Sequence, residues 1–259
     1  MNKPWHYVEQ GQGRPLVLLH GIGMSHAAWQ PVMARLAQAR RVIAVDIAGF
    51  GETPALNGPV SAEALVDGLR HTLASLGIHE PVDIAGNSMG GWLTLAAAVA
   101  GLARSIVVIS PAGLADAADT PWHVRPIFTS ARLMAQRFPR AAKAATTLGL
   151  ARSALLAIPM SVRGYKMPAA AAARCLADFA EAPSFDATYD AIDKVPGVSA
   201  LDIPITVAYG RLDFLLTRAL QRRDALPLHA IWLKPWNWGH VPMWDDPEGV
   251  AELILTGTA

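Results

Sequence analysis

Ser88 stands in Gly86-Asn87-Ser88-Met89-Gly90, between a strand-like apolar run from Val82 and a helix-like run from Trp92. Glycines on both sides let a strand and a helix approach closely while the turn residue takes a strained conformation. The hydroxyl is then pushed out beyond the carboxyl end of a sheet, as a nucleophile must be. A serine needs three further parts: a base, a group that orients the base, and donors for the oxyanion formed on attack at a carbonyl. Residues of the right types lie at suitable points. His240 lies in Trp236-Asn237-Trp238-Gly239-His240-Val241-Pro242, after the last strand-like run and before the last helical one. Asp213 lies three residues past Gly210, just beyond another apolar strand, where ligand sites gather in parallel sheets. His20-Gly21-Ile22-Gly23 follows the first apolar strand, and its glycines free backbone N–H groups to turn toward a substrate oxygen. The amides of Ile22 and Met89 are the expected oxyanion donors, each worth about 10² to 10³ in turnover. The chemistry implied is acyl transfer to serine and then to water.

These residues need a scaffold with several strand ends along one edge. Trp5–Glu9 reads as a short edge strand, and Pro15–His20 and Arg41–Asp46 as strands buried on both faces. A helix through Trp29, Val32, Met33 and Leu36 separates the latter two. Ser61 caps an amphipathic helix that ends at Gly77. The Ser88 strand, its helix to Ala100 and a strand at Ser105–Ile109 follow. The alternation predicts a mainly parallel sheet covered by helices, the α/β class. From Pro111 to about Pro183 no strand is expected, only short helices broken at prolines and glycines, among them Pro159. Alternation resumes at Ile205–Gly210, with a helix through Leu220, a strand at Ala230–Leu233 and a last helix from about Pro247. The expected division is a core at 1–111 and 185–259 with a helical cap at 112–184.

Composition narrows the function classes. Hydrophobic residues make up 52% of the chain and charged ones 17%, an ordinary globular balance with enough apolar surface for a core. The net charge of +1 gives no support to nucleic-acid binding. Residues 113–182 hold nine Lys/Arg against four Asp/Glu, a solvated helical face or an anion-attracting cap. Cys175 is the single cysteine, so no intrachain disulfide is possible. The first residues lack an apolar signal core, and no run of about 18 apolar residues occurs, so a cytoplasmic protein without a membrane span is expected. Clustered Cys/His spacing, a complete dinucleotide fingerprint and a P-loop are all missing, so neither metal nor organic cofactor is implied.

Five motifs in order carry a family resemblance: His-Gly-x-Gly at 20–23, Asp-x-x-Gly-x-Gly at 46–51, Gly-x-Ser-x-Gly at 86–90, Gly-x-x-Asp at 210–213, and Gly-His followed by Asp-Pro-Glu at 239–248. On these the chain resembles the α/β-hydrolase family from about Pro15 to Leu255. The resemblance implies a Ser88–His240–Asp213 triad and a helical cap over the strandless insert. Ser88 in place of an aspartate excludes the relatives that open epoxides or remove halides. Gly86-Asn87-Ser88-Met89-Gly90-Gly91 is similar to the elbow of hydrolases that cleave carbon–carbon bonds in ring-fission products. The proline- and glycine-rich oxyanion loop of those enzymes is replaced here by Gly23-Met24-Ser25-His26. A small or medium carboxylic ester is the expected small-molecule substrate, a vinylogous diketone cleaved at carbon–carbon the alternative, and a ligand-binding receptor with vestigial hydrolysis the third reading.

Other chemistry-bearing residues have plainer expectations. His20 braces the oxyanion loop, and Asp46 fixes the turn at Ala48–Gly51. Asp116, several residues past the end of the earlier strand, competes with Asp213 as the acid. Asp245 and Asp246 are expected to start the last helix. Trp236, Trp238 and Trp244 either pack or line a pocket. Met134, Met160 and Met167 are expected as core filler.

Overall fold

The computed structural model describes residues 3–156 and 161–259, so the expectations for Pro159 and Met160 lie outside the described residues. Seven strands form one sheet: β1 (Tyr7–Gln10), β2 (Pro15–Leu19), β3 (Arg41–Val45), β4 (Val82–Asn87), β5 (Ala103–Ile109), β6 (Ile205–Ala208) and β7 (Ile231–Leu233). Their order is β1-β3-β2-β4-β5-β6-β7, with β1 antiparallel to β3 and every other pairing parallel. The central strands read as unbroken apolar runs because both faces are covered. Val17, Leu19, Ile43, Val45 and Ile84 face one layer, packed with Leu65, Leu69, Trp92 and Leu95 of α2 (Ala62–Ser75) and α3 (Met89–Val99). Leu16, Leu18, Val42, Ala44 and Ala85 face the other, packed with Val32 and Leu36 of α1 (Gln30–Leu36) and Val250 and Ile254 of α9 (Pro247–Gly257). Alternate residues of each strand thus serve opposite layers.

Between β5 and β6 the chain forms α4 (Val124–Arg137), α5 (Pro139–Thr147), α6 (Gly149–Leu156), α7 (Ala169–Glu181) and α8 (Phe185–Ala191), with no strand among the described residues. Pro139 starts α5, where its missing N–H costs nothing. Met167, Ala172, Cys175 and Leu156 form a small core of this insert.

One expectation fails. The helix through Leu220 is absent, and two 3-10 turns, Arg218–Leu220 and Arg223–Ala225, stand in its place. Local side-chain bonds compete with the helix there: Gln221 Nε2 donates to the Leu216 carbonyl at 2.7 Å, and Arg222 pairs with Asp224 two residues on. Pro227 then forces Leu226 into an extended conformation, leaving too short a span for a stable helix.

Candidate active site

β4 and α3 meet at Ser88, whose φ of 55° and ψ of −117° are a strained conformation for any residue with a side chain. The junction is tight enough to require its glycines. A Cβ on Gly86 would lie 2.2 Å from the Gly90 carbonyl oxygen, and one on Gly90 would lie 2.1 Å from the Leu19 carbonyl oxygen. The loop after β7 carries His240 to Ser88, and the loop after β6 carries Asp213 to His240. Ser88 Oγ lies 2.9 Å from His240 Nε2, and His240 Nδ1 lies 2.9 Å from Asp213 Oδ2. A carboxylate only accepts, so Nδ1 carries the proton and Nε2 is left to accept from the serine hydroxyl. Asp213 Oδ1 accepts from the Leu215 and Leu216 amides, both at 3.0 Å. Burial pushes the Asp213 carboxyl up, but the facing His240 and the Leu216 amide outweigh it and hold it below the usual carboxylate range. The competing Asp116 lies exposed before a 3-10 turn at Ala117–Asp119, while the acid facing His240 Nδ1 is Asp213.

Asn87 also ties the parts together, a role the sequence did not reveal. Its buried Nδ2 donates to the Ile109 carbonyl at 3.0 Å and to the His240 carbonyl at 2.9 Å. Met89 is the first residue of α3, whose first-turn N–H groups have no acceptor within the helix. Ile22 lies in the loop after β2, among the residues that line the same cavity as Ser88. That loop is braced as expected. His20 Nδ1 donates to the Gly21 carbonyl at 2.8 Å while its Nε2 accepts from the Ile47 amide at 3.0 Å. Burial lowers the His20 pKa, which keeps the ring neutral for this double duty.

The sequence profile of the alpha/beta hydrolase family matches residues 16–253, nearly the whole chain. The chain belongs to the alpha/beta hydrolase family. Curated relatives include (E)-2-((N-methylformamido)methylene)succinate hydrolase of Acinetobacter baylyi, 38% identical over 38% of this chain and 37% of its own length. Another is 2-hydroxymuconate semialdehyde hydrolase of Pseudomonas sp. (strain CF600), 36% identical over 50% of this chain and 49% of its own length. The chain therefore spans about half or less of the length of these relatives. Among solved structures, the enol-lactonase from Burkholderia xenovorans LB400 matches with a TM-score of 0.75 and 21% identity, covering 97% of this chain and 95% of that one. That likeness is one of fold.

In this alpha/beta hydrolase, Ser88 and His240 open into a cavity of about 530 Å³ between the sheet edge and helices α4–α7. Phe128, Met134, Phe138, Ala142 and Phe179 are among its walls, and none of the described lining residues is Asp, Glu, Lys or Arg. Met134 is thus a wall residue rather than core filler, whereas Met167 is fully buried as expected. The tryptophans near His240 are absent from the lining: Trp236 is exposed, Trp238 is buried and donates to Asp246 at 2.9 Å, and Trp244 packs against the core of the insert.

Several cations of the insert are committed elsewhere. Arg125 pairs with Asp190, Arg132 with Asp186, and Arg174 with Asp178. Arg152 donates to the carbonyls of Thr146, Gly164 and Tyr165. Asp246 starts α9 by accepting from the Gly249 amide at 3.1 Å. Asp245 does not start it, and its expected role is corrected. Its buried carboxylate turns back to accept from the Gly239 amide at 3.0 Å, the Ser161 hydroxyl at 2.5 Å and the Arg163 amide at 2.9 Å. A donor on the insert and the residue before His240 therefore share one anion. The two aspartates divide the work, Asp246 holding Trp238 and the start of α9 while Asp245 holds Gly239 and the insert, a split that a linear sequence does not display.

Proposed function

We propose that this chain is a serine hydrolase that cleaves carboxylic esters with a neutral, apolar acyl or alcohol group. The observation that carries the reading is the 2.9 Å Ser88–His240 and 2.9 Å His240–Asp213 relay at the floor of a cavity whose walls, among the described residues, hold no aspartate, glutamate, lysine or arginine. His240 Nε2 takes the Ser88 proton as Oγ attacks the ester carbonyl. The oxyanion rests on the Ile22 and Met89 amides, helped by the positive end of α3. Asp213 holds the imidazole in its tautomer and stabilises the imidazolium. His240 then protonates the leaving alcohol, activates a water against the acyl-enzyme and returns the proton to Ser88. Residues 112–184 act as a cap domain on a core formed by 1–111 and 185–259. No metal or organic cofactor enters these steps.

Carbon–carbon cleavage of a vinylogous diketone is the second reading, favoured by the Gly86–Gly91 elbow and by the relative named 2-hydroxymuconate semialdehyde hydrolase. The lining argues for the ester, because a substrate carboxylate would find no arginine or lysine there among the described residues. A panel of aryl esters of increasing chain length, run beside one anionic ring-fission diketone, separates the two. We expect the esters to turn over with the higher kcat/KM. A higher value for the diketone would overturn the ester reading.

A further inference from the structure

Behind the Gly21–Ser25 loop three side chains with metal-binding atoms converge. His6 Nδ1 lies 2.9 Å from Asp46 Oδ2, and His26 Nδ1 lies 3.0 and 3.1 Å from Asp46 Oδ1 and Oδ2. One ligand atom from each residue lies within 4.8 Å of the other two. Two imidazoles and a carboxylate are the donor set that binds zinc with bonds of about 2.0–2.2 Å, leaving one position for water. We propose that His6, His26 and Asp46 form a zinc-binding site separate from Ser88.

The surroundings fit the donor set. Asp46 is fully buried, and its oxygens also accept from the His26 amide at 2.6 Å and the Glu52 amide at 2.9 Å. Those bonds fix the carboxylate in place. The histidines reach solvent, with side chains 33% and 17% exposed, so an ion has a way in. To ligate through Nδ1, each ring moves its proton to Nε2, with no net proton loss from a neutral imidazole. For His6 that nitrogen faces Glu52 Oε2 at 3.6 Å, and Arg174 in turn lies 3.8 Å from the other Glu52 oxygen. A carboxylate behind a ligating histidine is the usual outer partner of a zinc site. The ion would join three segments: the chain entering β1, the turn that follows Ser25, and the end of β3.

Equilibrium dialysis of the EDTA-treated full chain against zinc chloride, with thermal unfolding read alongside, tests the site. We expect one zinc per chain and a raised Tm. His6→Ala and His26→Gln should abolish both effects, and Glu52→Gln should weaken binding by about tenfold or more. His71→Ala and His79→Ala, away from the cluster, should leave binding unchanged. Circular dichroism of each variant shows that it has folded. Absence of stoichiometric zinc on the wild-type chain would overturn the proposal, as would binding that survives His6→Ala in a folded protein.

Discussion

Ser88 adopts a backbone conformation that glycine enters far more readily than serine, and the fold supports that strain where the hydroxyl meets His240. If Ser88 and His240 act as a unit, Ser88→Ala, His240→Ala and the double variant should each lose about 10⁴ to 10⁶ in kcat, with little added by the second change. Initial rates on a reactive aryl ester check this, and additive losses would contradict it. Asp46 makes a separate statement about acid stability. Burial raises its carboxyl, but hydrogen bonds from His26 and Glu52 outweigh that and hold it below the usual range. Such a group adds stability that is full above the unfolded value of about 3.9 and is lost as pH falls through the lower folded one. Asp46→Asn should therefore lower Tm at pH 7 and flatten the fall in Tm below about pH 4. Cys175 titrates the other way, its thiol pushed up to about 12 by burial, so it should resist alkylation in the folded chain. The relay residues were legible in sequence because each follows an apolar strand beside a glycine. The His6–His26–Asp46 cluster was not. Its histidines lie 40 and 20 residues from Asp46, and His6 arrives only because β1 pairs with β3.

At the scale of elements, the alternation of apolar strands and helices revealed the sheet, since a strand covered on both faces cannot conceal its composition. The β4–α3 junction leaves no room for a Cβ, so Gly90→Ala should prevent folding or cost several kcal/mol, read as lost soluble yield or lowered Tm. The region after β6 was misread because apolar spacing there mimics a helix, while Pro227 and the Arg222–Asp224 pair impose turns. Asp245 was misread for a related reason: a carboxylate before a helix is ordinarily a cap, and most of its true donors lie 82 to 84 residues earlier. Asp245→Ala leaves several buried donors unsatisfied and should destabilise the chain by at least about 2 kcal/mol in denaturant unfolding. Ser161→Ala, which removes one of the insert's donors and leaves the Arg163 amide in place, should cost less than Asp245→Ala.

Across the whole molecule, a sheet edge that gathers the relay meets an insert that shapes the cavity above it. Alanines on α4 and α5, Ala135 and Ala142 among them, leave the space that a longer acyl chain would fill. Ala135→Phe should lower the octanoyl-to-acetyl ratio of kcat/KM by about tenfold or more, since each methylene in an apolar pocket discriminates on that scale. Part of the insert's positive charge, conspicuous in sequence, is spent on ion pairs with Asp186 and Asp190 and on backbone carbonyls, which linear counting does not distinguish from a binding patch. No helix among the described residues is long and apolar enough to cross a membrane. The central claim is that Ser88 is a nucleophile activated by His240, and a fluorophosphonate ester tests it without knowledge of the substrate. Mass spectrometry of the labelled protein should find one adduct per chain on the peptide containing Ser88, absent from Ser88→Ala and strongly slowed in His240→Ala. An unlabelled wild-type chain, or an adduct that persists in Ser88→Ala, would contradict it.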